Sequence, residues 1–289
     1  MSPRICKSLL FLALFCLSPA FGDGVRLLVV FPLTDSPNDE IYNLTVEAIA
    51  KHSPSAERLA LPDGVDTIHP QLNPAQYSSI IALGNSAIAA VNTTAYKTKM
   101  LAGLSYFGRA EYNGVSLALD SNMLIPQLHR LVPQIKRVFV IHEPDLQVID
   151  PPNKELPPLP RLIIKKGNDP IAVIKLVGDL LEHEATSSDA VFIPPNLPEN
   201  ILYEVVKVAW DKGVMLLSTN LGHLESGATM VFFPDNAGIG EQLALMALAK
   251  TPGYENVKKI NVGLNRKIAQ HLGLEFSPNT IDLFAVKIK

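Results

Sequence analysis

An imidazole and two carboxylates fall within the four residues His142-Glu143-Pro144-Asp145. Such a set can ligate a cation, move a proton or hydrogen-bond a polar ligand. It follows the apolar run Arg137–His142, which reads as a buried strand, and open α/β sheets bind their ligands outside the carboxyl ends of their strands. Other chemistry is hard to find. None of the seven histidines forms a His-x-x-x-His pair, and His183-Glu184 lacks the second histidine that a zinc-protease helix needs. A hydrolase or metal carrier would have to use His142, Glu143 and His223, and no recognised catalytic constellation joins them. Gly84-Asn85-Ser86-Ala87 and Gly103-Leu104-Ser105-Tyr106 each lack the closing glycine of a nucleophile elbow. The first apolar run ends Phe31-Pro32-Leu33-Thr34-Asp35, with neither a Walker loop nor Gly-x-Gly-x-x-Gly to cradle phosphate. No pair of carboxylates announces an acid–base couple. No catalytic residue, no metal ligand and no cofactor is therefore expected.

What the sequence offers instead is a set of small, polar or aromatic segments at strand ends: 32–35, 84–86, 105–107, 142–143, 195–196 and 218–220. If these ends converge, hydroxyl and amide groups there can grip a small polar ligand. The candidate ligand contacts are Thr34 and Asp35, then Asn85 and Ser86, then Tyr106 and Phe107 for stacking. Asn196 and Asn220 would reach in from the opposite side. Together they favour binding over catalysis.

The elements that must hold these positions are buried strands and amphipathic helices in alternation. Strand-length, β-branched runs occur at Arg26–Phe31, Ser79–Leu83, Arg137–His142, Ala190–Ile193 and Val214–Ser218. Helices are predicted over Asn38–Lys51, Ser121–Leu131, Ile171–Glu184, Glu199–Lys212 and Gly238–Lys250, the fourth stopping at Gly213. Asp169-Pro170 and Asp235 are suited to open helices, since a carboxylate can accept from free N–H groups of the first turn. This alternation predicts a doubly wound α/β chain in two lobes, dividing near 113–120. Five prolines within 151–160 exclude helix and central strand, so an extended surface loop is expected there.

At the amino terminus, Arg4 and Lys7 precede an apolar run from Ser8 to Leu17 and a small-residue site at Ala20 and Gly22, the three zones of a cleavable export signal. The run is too short to span a bilayer, which takes about 20 residues. Both cysteines, Cys6 and Cys16, lie inside the segment 1–22, and Cys16 follows Phe15, not the small residue a lipid-acceptor site wants. The expectation is a cysteine-free protein of a bacterial periplasm, with no stable membrane insertion once the signal is cleaved. Loss of the two basic residues moves the net charge from −3 to −5 and disfavours nucleic acid as a partner.

Several motifs, in order, resemble those of poorly characterised ABC-transporter substrate-binding proteins, some of which bind aromatic amino acids. They are Ser79–Ala87 as a strand and its Gly-Asn-Ser-Ala turn, Asn113-Gly114-Val115-Ser116, Leu131–Val138 and Trp210–Val214. Ser226-Gly227-Ala228 leading to Phe233-Pro234-Asp235 and the glycine-rich Gly238–Gly240 follow, then Asn261–Leu274. The resemblance covers most of 79–278. It implies a type I periplasmic-binding fold of two Rossmann-like lobes joined by three crossovers, with a small organic ligand closed between them. It places residues 23–118 plus 235–253 in the first lobe and 119–234 plus 254–289 in the second. It also implies an ABC permease as partner, or a membrane sensor protein if the chain has left transport for signalling. The sequence departs from that family in two places. Only a stunted crossover fits 64–76, and the proline-rich stretch stands where a ligand-facing helix would follow the first strand of the second lobe.

Overall fold

The computed structural model describes residues 26–34, 38–62, 76–143, 146–152 and 158–289. The expected signal segment, Asp35, Pro144, Asp145 and most of the stunted crossover lie outside the described residues. The path begins β1 (Leu27–Pro32), α1 (Asn38–His52), β2 (Glu57–Leu61), β3 (Ser79–Leu83), α2 (Asn85–Asn92), β4 (Met100–Gly103) and β5 (Gly114–Ser116). It continues through β6 (Leu119–Asp120), α3 (Ser121–Leu131), β7 (Arg137–His142), β8 (Ile149–Asp150), β9 (Arg161–Lys166) and α4 (Pro170–Asp179). Next come β10 (Asp189–Phe192), α5 (Glu199–Lys212), β11 (Met215–Ser218), α6 (His223–Ser226) and β12 (Met230–Pro234). The chain closes with α7 (Asn236–Ala249), β13 (Tyr254–Asn256), β14 (Ile260–Asn265), α8 (Arg266–His271), α9 (Pro278–Ile281) and β15 (Val286–Ile288).

Two sheets form two lobes. The first has the order β13-β5-β4-β3-β1-β2 with every pairing parallel. Alternation along β3 shows why it is central. Ile80 and Ala82 face α2, Ile81 and Leu83 face α1 and α7, and all four are fully buried. Burying a large aliphatic side chain in this way contributes about 1.5–3 kcal/mol. The helix α7 lies close against α1, and a Cβ on Gly240 would sit 2.3 Å from the Thr45 carbonyl oxygen, so the two backbones meet there only because that side chain is missing.

The second sheet runs β15-β14-β12-β11-β10-β7-β9, parallel except for the β12–β14 pair. One face packs on α3 through Leu124, Ile125 and Leu128, and the other on α4 and α5 through Val173, Val177, Leu202 and Val205. Asp120 caps α3 by accepting from Asn122 N–H at 2.8 Å, and Asp169 caps α4 by accepting from Ala172 N–H at 2.8 Å. Asp235 departs from the expected role. Its backbone carbonyl accepts Ile239 N–H at 3.0 Å, but its carboxylate makes no capping bond and lies in the field of Lys259. The helix expected over Ile171–Glu184 is α only to Asp179 and then widens into a π turn closed by Ala185 N–H on the Leu180 carbonyl at 2.8 Å.

The chain passes between lobes three times, after β5, after β12 and after β13. The last passage corrects a boundary. Tyr254–Asn256, expected in the second lobe, pairs with β5 in the first sheet, because Gly114 N–H reaches back to the Gly253 carbonyl at 2.7 Å and sets that register. Between β7 and β9 no helix occurs among the described residues. The connection instead carries β8, which pairs with β6 as a small parallel ribbon at the lobe junction.

Candidate functional site

In both lobes the strands are laid down so that polar residues follow their carboxyl ends. At the end of β4, Leu104 takes a left-handed conformation (φ 53°), which a non-glycine residue adopts at a cost of about 1–2 kcal/mol. That turn sends Ser105 and Tyr106 out of the first sheet. At the ends of β7 and β9 stand His142 and Lys166, paired in register. These segments enclose a cleft of about 450 Å³ lined by Tyr106, Phe107, Gly108 and Glu111 from the first lobe and by His142, Glu143, Gln147 and Lys166 from the second. Tyr106 Oη donates to Thr219 Oγ1 at 3.4 Å, a long contact from one lobe to the other.

Charges of both signs meet in this cleft. Glu111 Oε1 accepts Gly108 N–H at 2.9 Å, which shapes the loop. Gln147 Nε2 donates to Asp150 Oδ1 at 2.7 Å. His142 is 5 % exposed. Burial pushes its pKa below the ordinary 6.5, the nearby Lys166 charge adds to that, and Asp150 and the Ile149 carbonyl pull the other way. The ring is therefore neutral at pH 7. Among the described residues, the buried His142 Nε2 and Glu143 Oε1 have no hydrogen-bond partner. Burial likewise raises the Tyr106 hydroxyl, with the Thr219 contact opposing.

The eight expected contacts fare unequally. Tyr106 and Phe107 line the cleft, but the Phe107 ring is packed edge-on against Tyr112 and Tyr254, which takes it out of the stacking role. Thr34 is half-buried at the end of β1 with its hydroxyl unpartnered, and it is not among the cleft-lining residues. Asp35 is outside the described residues. Asn85 bonds the buried Ser105 hydroxyl and so props the β4 exit, while Ser86 is exposed at the start of α2. Asn196 is exposed, and Asn220 spends both ends of its amide on backbone, Nδ2 on the Pro195 carbonyl of the β10–α5 loop and Oδ1 on Gly222 N–H of its own, each at 3.0 Å. Glu111, Gln147 and Lys166 were missed. Lys166 could have been found by treating Arg161–Lys166 as a strand with a polar end, but Glu111 and Gln147 sit in loops without a period.

His223 does not join His142. Its Nδ1 meets the Ser218 hydroxyl at 2.9 Å, and both side chains are buried in the second lobe, at 5 % and 0 % exposure. The Ser218 hydroxyl also accepts Asn220 N–H at 3.0 Å, so this pair braces a turn and presents no nucleophile. Among the described residues no group of three or more His, Cys, Asp or Glu side chains could hold a metal ion.

Two parallel α/β lobes, three crossings and a cleft at the strand ends define the type I periplasmic-binding fold. A solved ABC domain from Streptococcus pneumoniae in complex with L-Trp shares it at 12% identity and a TM-score of 0.53, over 92% of this chain and 100% of its own. A ligand-free, open substrate-binding protein with adhesive properties from Clostridium difficile is similar at 15% identity and a TM-score of 0.56, over 92% and 99%. A conserved domain protein from Vibrio cholerae aligns over 91% and 99%, at 12% identity and a TM-score of 0.50. No protein-family model and no curated protein matches the chain.

Proposed function

We propose that this chain is a periplasmic solute-binding protein of an ABC-type uptake system, which holds a small organic ligand between its lobes and presents it to a membrane permease. The observation that carries the reading is the cleft itself, with side chains contributed by both lobes. It does no chemistry on its ligand, as with the substrate-binding neighbours, and the buried Ser218–His223 contact among the described residues braces a turn. Export fits the segment 1–22, and among the described residues no helix is long and apolar enough to cross a membrane. The L-Trp complex and the open substrate-binding protein among the neighbours support the solute-binding class and leave the ligand open. Thermal denaturation against a panel of amino acids, sugars and nucleosides tests it. A true ligand at about 100 times its dissociation constant adds about 2.7 kcal/mol to stability. A flat response across the whole panel sinks the reading.

A further inference from the structure

Two neighbouring residues of one loop reach into different lobes. The chain leaving β4 turns at Leu104, whose side chain packs on the first-lobe cluster shared by β3, α1 and α7. Ser105 Oγ donates to Asn85 Oδ1, and the Ser105 carbonyl accepts Leu117 N–H at 2.9 Å. Phe107 is buried in the other first-lobe cluster, beside α2, with its ring edge-on to Tyr112 and Tyr254 at 5.7 and 5.8 Å. The Ser116 hydroxyl holds the backbone of Phe107 at both ends, donating to its carbonyl at 2.9 Å and accepting its N–H at 3.2 Å. Beyond it, Gly108 N–H reaches Glu111 Oε1 at 2.9 Å while Glu111 N–H returns to the Gly108 carbonyl at 3.1 Å. On both sides of Tyr106 the loop is thus tied to the first lobe.

Tyr106 itself goes the other way. Its ring packs against the apolar cluster that α3 shares with the second sheet, and its hydroxyl meets Thr219 past the end of β11. Three residues on, the Arg109 guanidinium lies over the Tyr254 ring at 5.0 Å, with Nη2 3.9 Å from Asp150 Oδ2 at the lobe junction. The 3.4 Å contact with Thr219 is too long to hold much by itself, so the apolar contact of the ring is what joins the lobes. With its neighbours pinned, the ring is presented to the second lobe with little freedom left to lose.

We propose that residues 104–112 are a clasp, with Tyr106 as its tooth, that draws the two lobes shut by protein contacts alone. Opening must pull the ring off the second lobe, because Phe107 and Ser116 keep the loop on the first. The closed arrangement is thereby favoured by the chain itself. Where the cleft holds a solute, as proposed above, less of the solute's binding free energy goes into moving the lobes.

Spin labels across the mouth of the cleft test this with no ligand added, so the outcome is separate from that of the solute-binding reading. Residues 23–289 contain both lobes and neither cysteine, so Ser86→Cys and Glu199→Cys, exposed positions past the carboxyl ends of β3 and β10, take one label each. The protein is refolded from urea to free it of any carried solute. Pulsed dipolar spectroscopy is expected to find the unaltered clasp mainly in one short, narrow distance distribution. Tyr106→Ala is expected to lower the closed-to-open ratio by about tenfold, the effect of taking a partly buried ring out of a contact. Tyr106→Phe, which keeps the ring, is expected to retain the narrow distribution. Tyr106→Ala that leaves the distances unchanged overturns the clasp, and so does an unaltered clasp whose distances are as long and broad as those of Tyr106→Ala. Phenylalanine behaving as alanine overturns the assignment to the ring. If Tyr106→Ala does not fold, Thr219→Trp carries the test: bulk at the tip of Tyr106 should prop the lobes apart, and unchanged distances there overturn the proposal.

Discussion

Tyr254 Oη donates to Asp150 Oδ2 at 2.7 Å, joining the strand β13 of the first sheet to the ribbon strand β8 that leads into β9. The same oxygen accepts from Asn256 Nδ2 at 3.0 Å, which also reaches the Ala118 carbonyl at 2.9 Å. Oδ1 takes Gln147 Nε2 at 2.7 Å, and Arg109 Nη2 stands 3.9 Å from Oδ2. Asp150 is 4 % exposed, so this carboxylate is taken from water and compensated by two donors from the crossing strand β13 and one from the cleft wall. Burial, and then the bond to Asp150, push the Tyr254 hydroxyl pKa up.

The substitution Asp150→Ala takes the shared acceptor from the Tyr254 hydroxyl and from the Asn256 and Gln147 amides, of which Asn256 keeps the Ala118 carbonyl. It should cost about 3–5 kcal/mol, as for a broken buried charge network, whereas Tyr254→Phe removes one bond to a charged group at about 1.5–3 kcal/mol. Urea denaturation of the two variants checks the ordering. Equal losses would mean that Asp150 is satisfied by water when its partners leave.

Asp189 gives a pH dependence. It is 1 % exposed, and burial alone would raise its pKa, but the Arg137 guanidinium at 2.6 and 2.9 Å and the Thr186 hydroxyl and N–H, each at 2.8 Å, outweigh burial and hold it below the ordinary carboxylate value. A carboxylate with a lowered folded-state pKa contributes stability above its unfolded value, and that contribution is lost as pH falls through the folded one. Wild type should therefore lose stability below about pH 4, and Asp189→Asn should be weaker at pH 7 with a shallower acid limb. Stability measured by urea denaturation from pH 7 down to pH 3 shows whether the two curves converge.

Gly114 has a φ of +133°, and a Cβ there would fall 2.0 Å from the Ala102 carbonyl oxygen on the neighbouring strand β4. Gly114→Ala must either break the β4–β5 contact or distort it, at about 3 kcal/mol or more given a clash with backbone added to a left-side conformation. The expected readout is a large drop in melting temperature, with faster amide exchange in β5 and β13. An unchanged melting temperature would contradict the register.

Trp210 on α5 stacks on His271 of α8 with ring centres 3.4 Å apart and planes within 6°, and His271 Nε2 meets the Trp210 carbonyl at 3.0 Å. A double-mutant cycle of Trp210→Ala and His271→Ala should give a coupling of about 0.5–1.5 kcal/mol. Zero coupling would reduce the stack to incidental contact.

The elements that carry strong periodicity were legible in advance. Ser79–Leu83, Arg137–His142, Ser121–Leu131 and Glu199–Lys212 have the bounds their patterns predict. Their residues are decided by burial on a face, which is written in local alternation. The ribbon β6–β8 was not legible, because two residues in each strand hold no period and the pairing is made by tertiary contact. The cleft divides in the same way. His142 was visible as a polar residue ending an apolar strand, while Glu111 and Gln147 are held by local loop bonds three residues away, to Gly108 and Asp150, which carry no periodic pattern. Asn220 shows the converse, since an amide suited to a ligand is equally suited to closing a turn on Gly222 and tying it to the Pro195 loop.

The ribbon and Asp150 also alter the mechanics of the junction. Two of the three chain crossings, near Ala118 and near Asn256, are stitched to each other and to the connection that replaces a helix between β7 and β9. Strands riveted side by side bend as one leaf and resist twisting. Any bending of the lobes against each other must therefore take both crossings together, and β8 ties them to β9 at the edge of the second sheet.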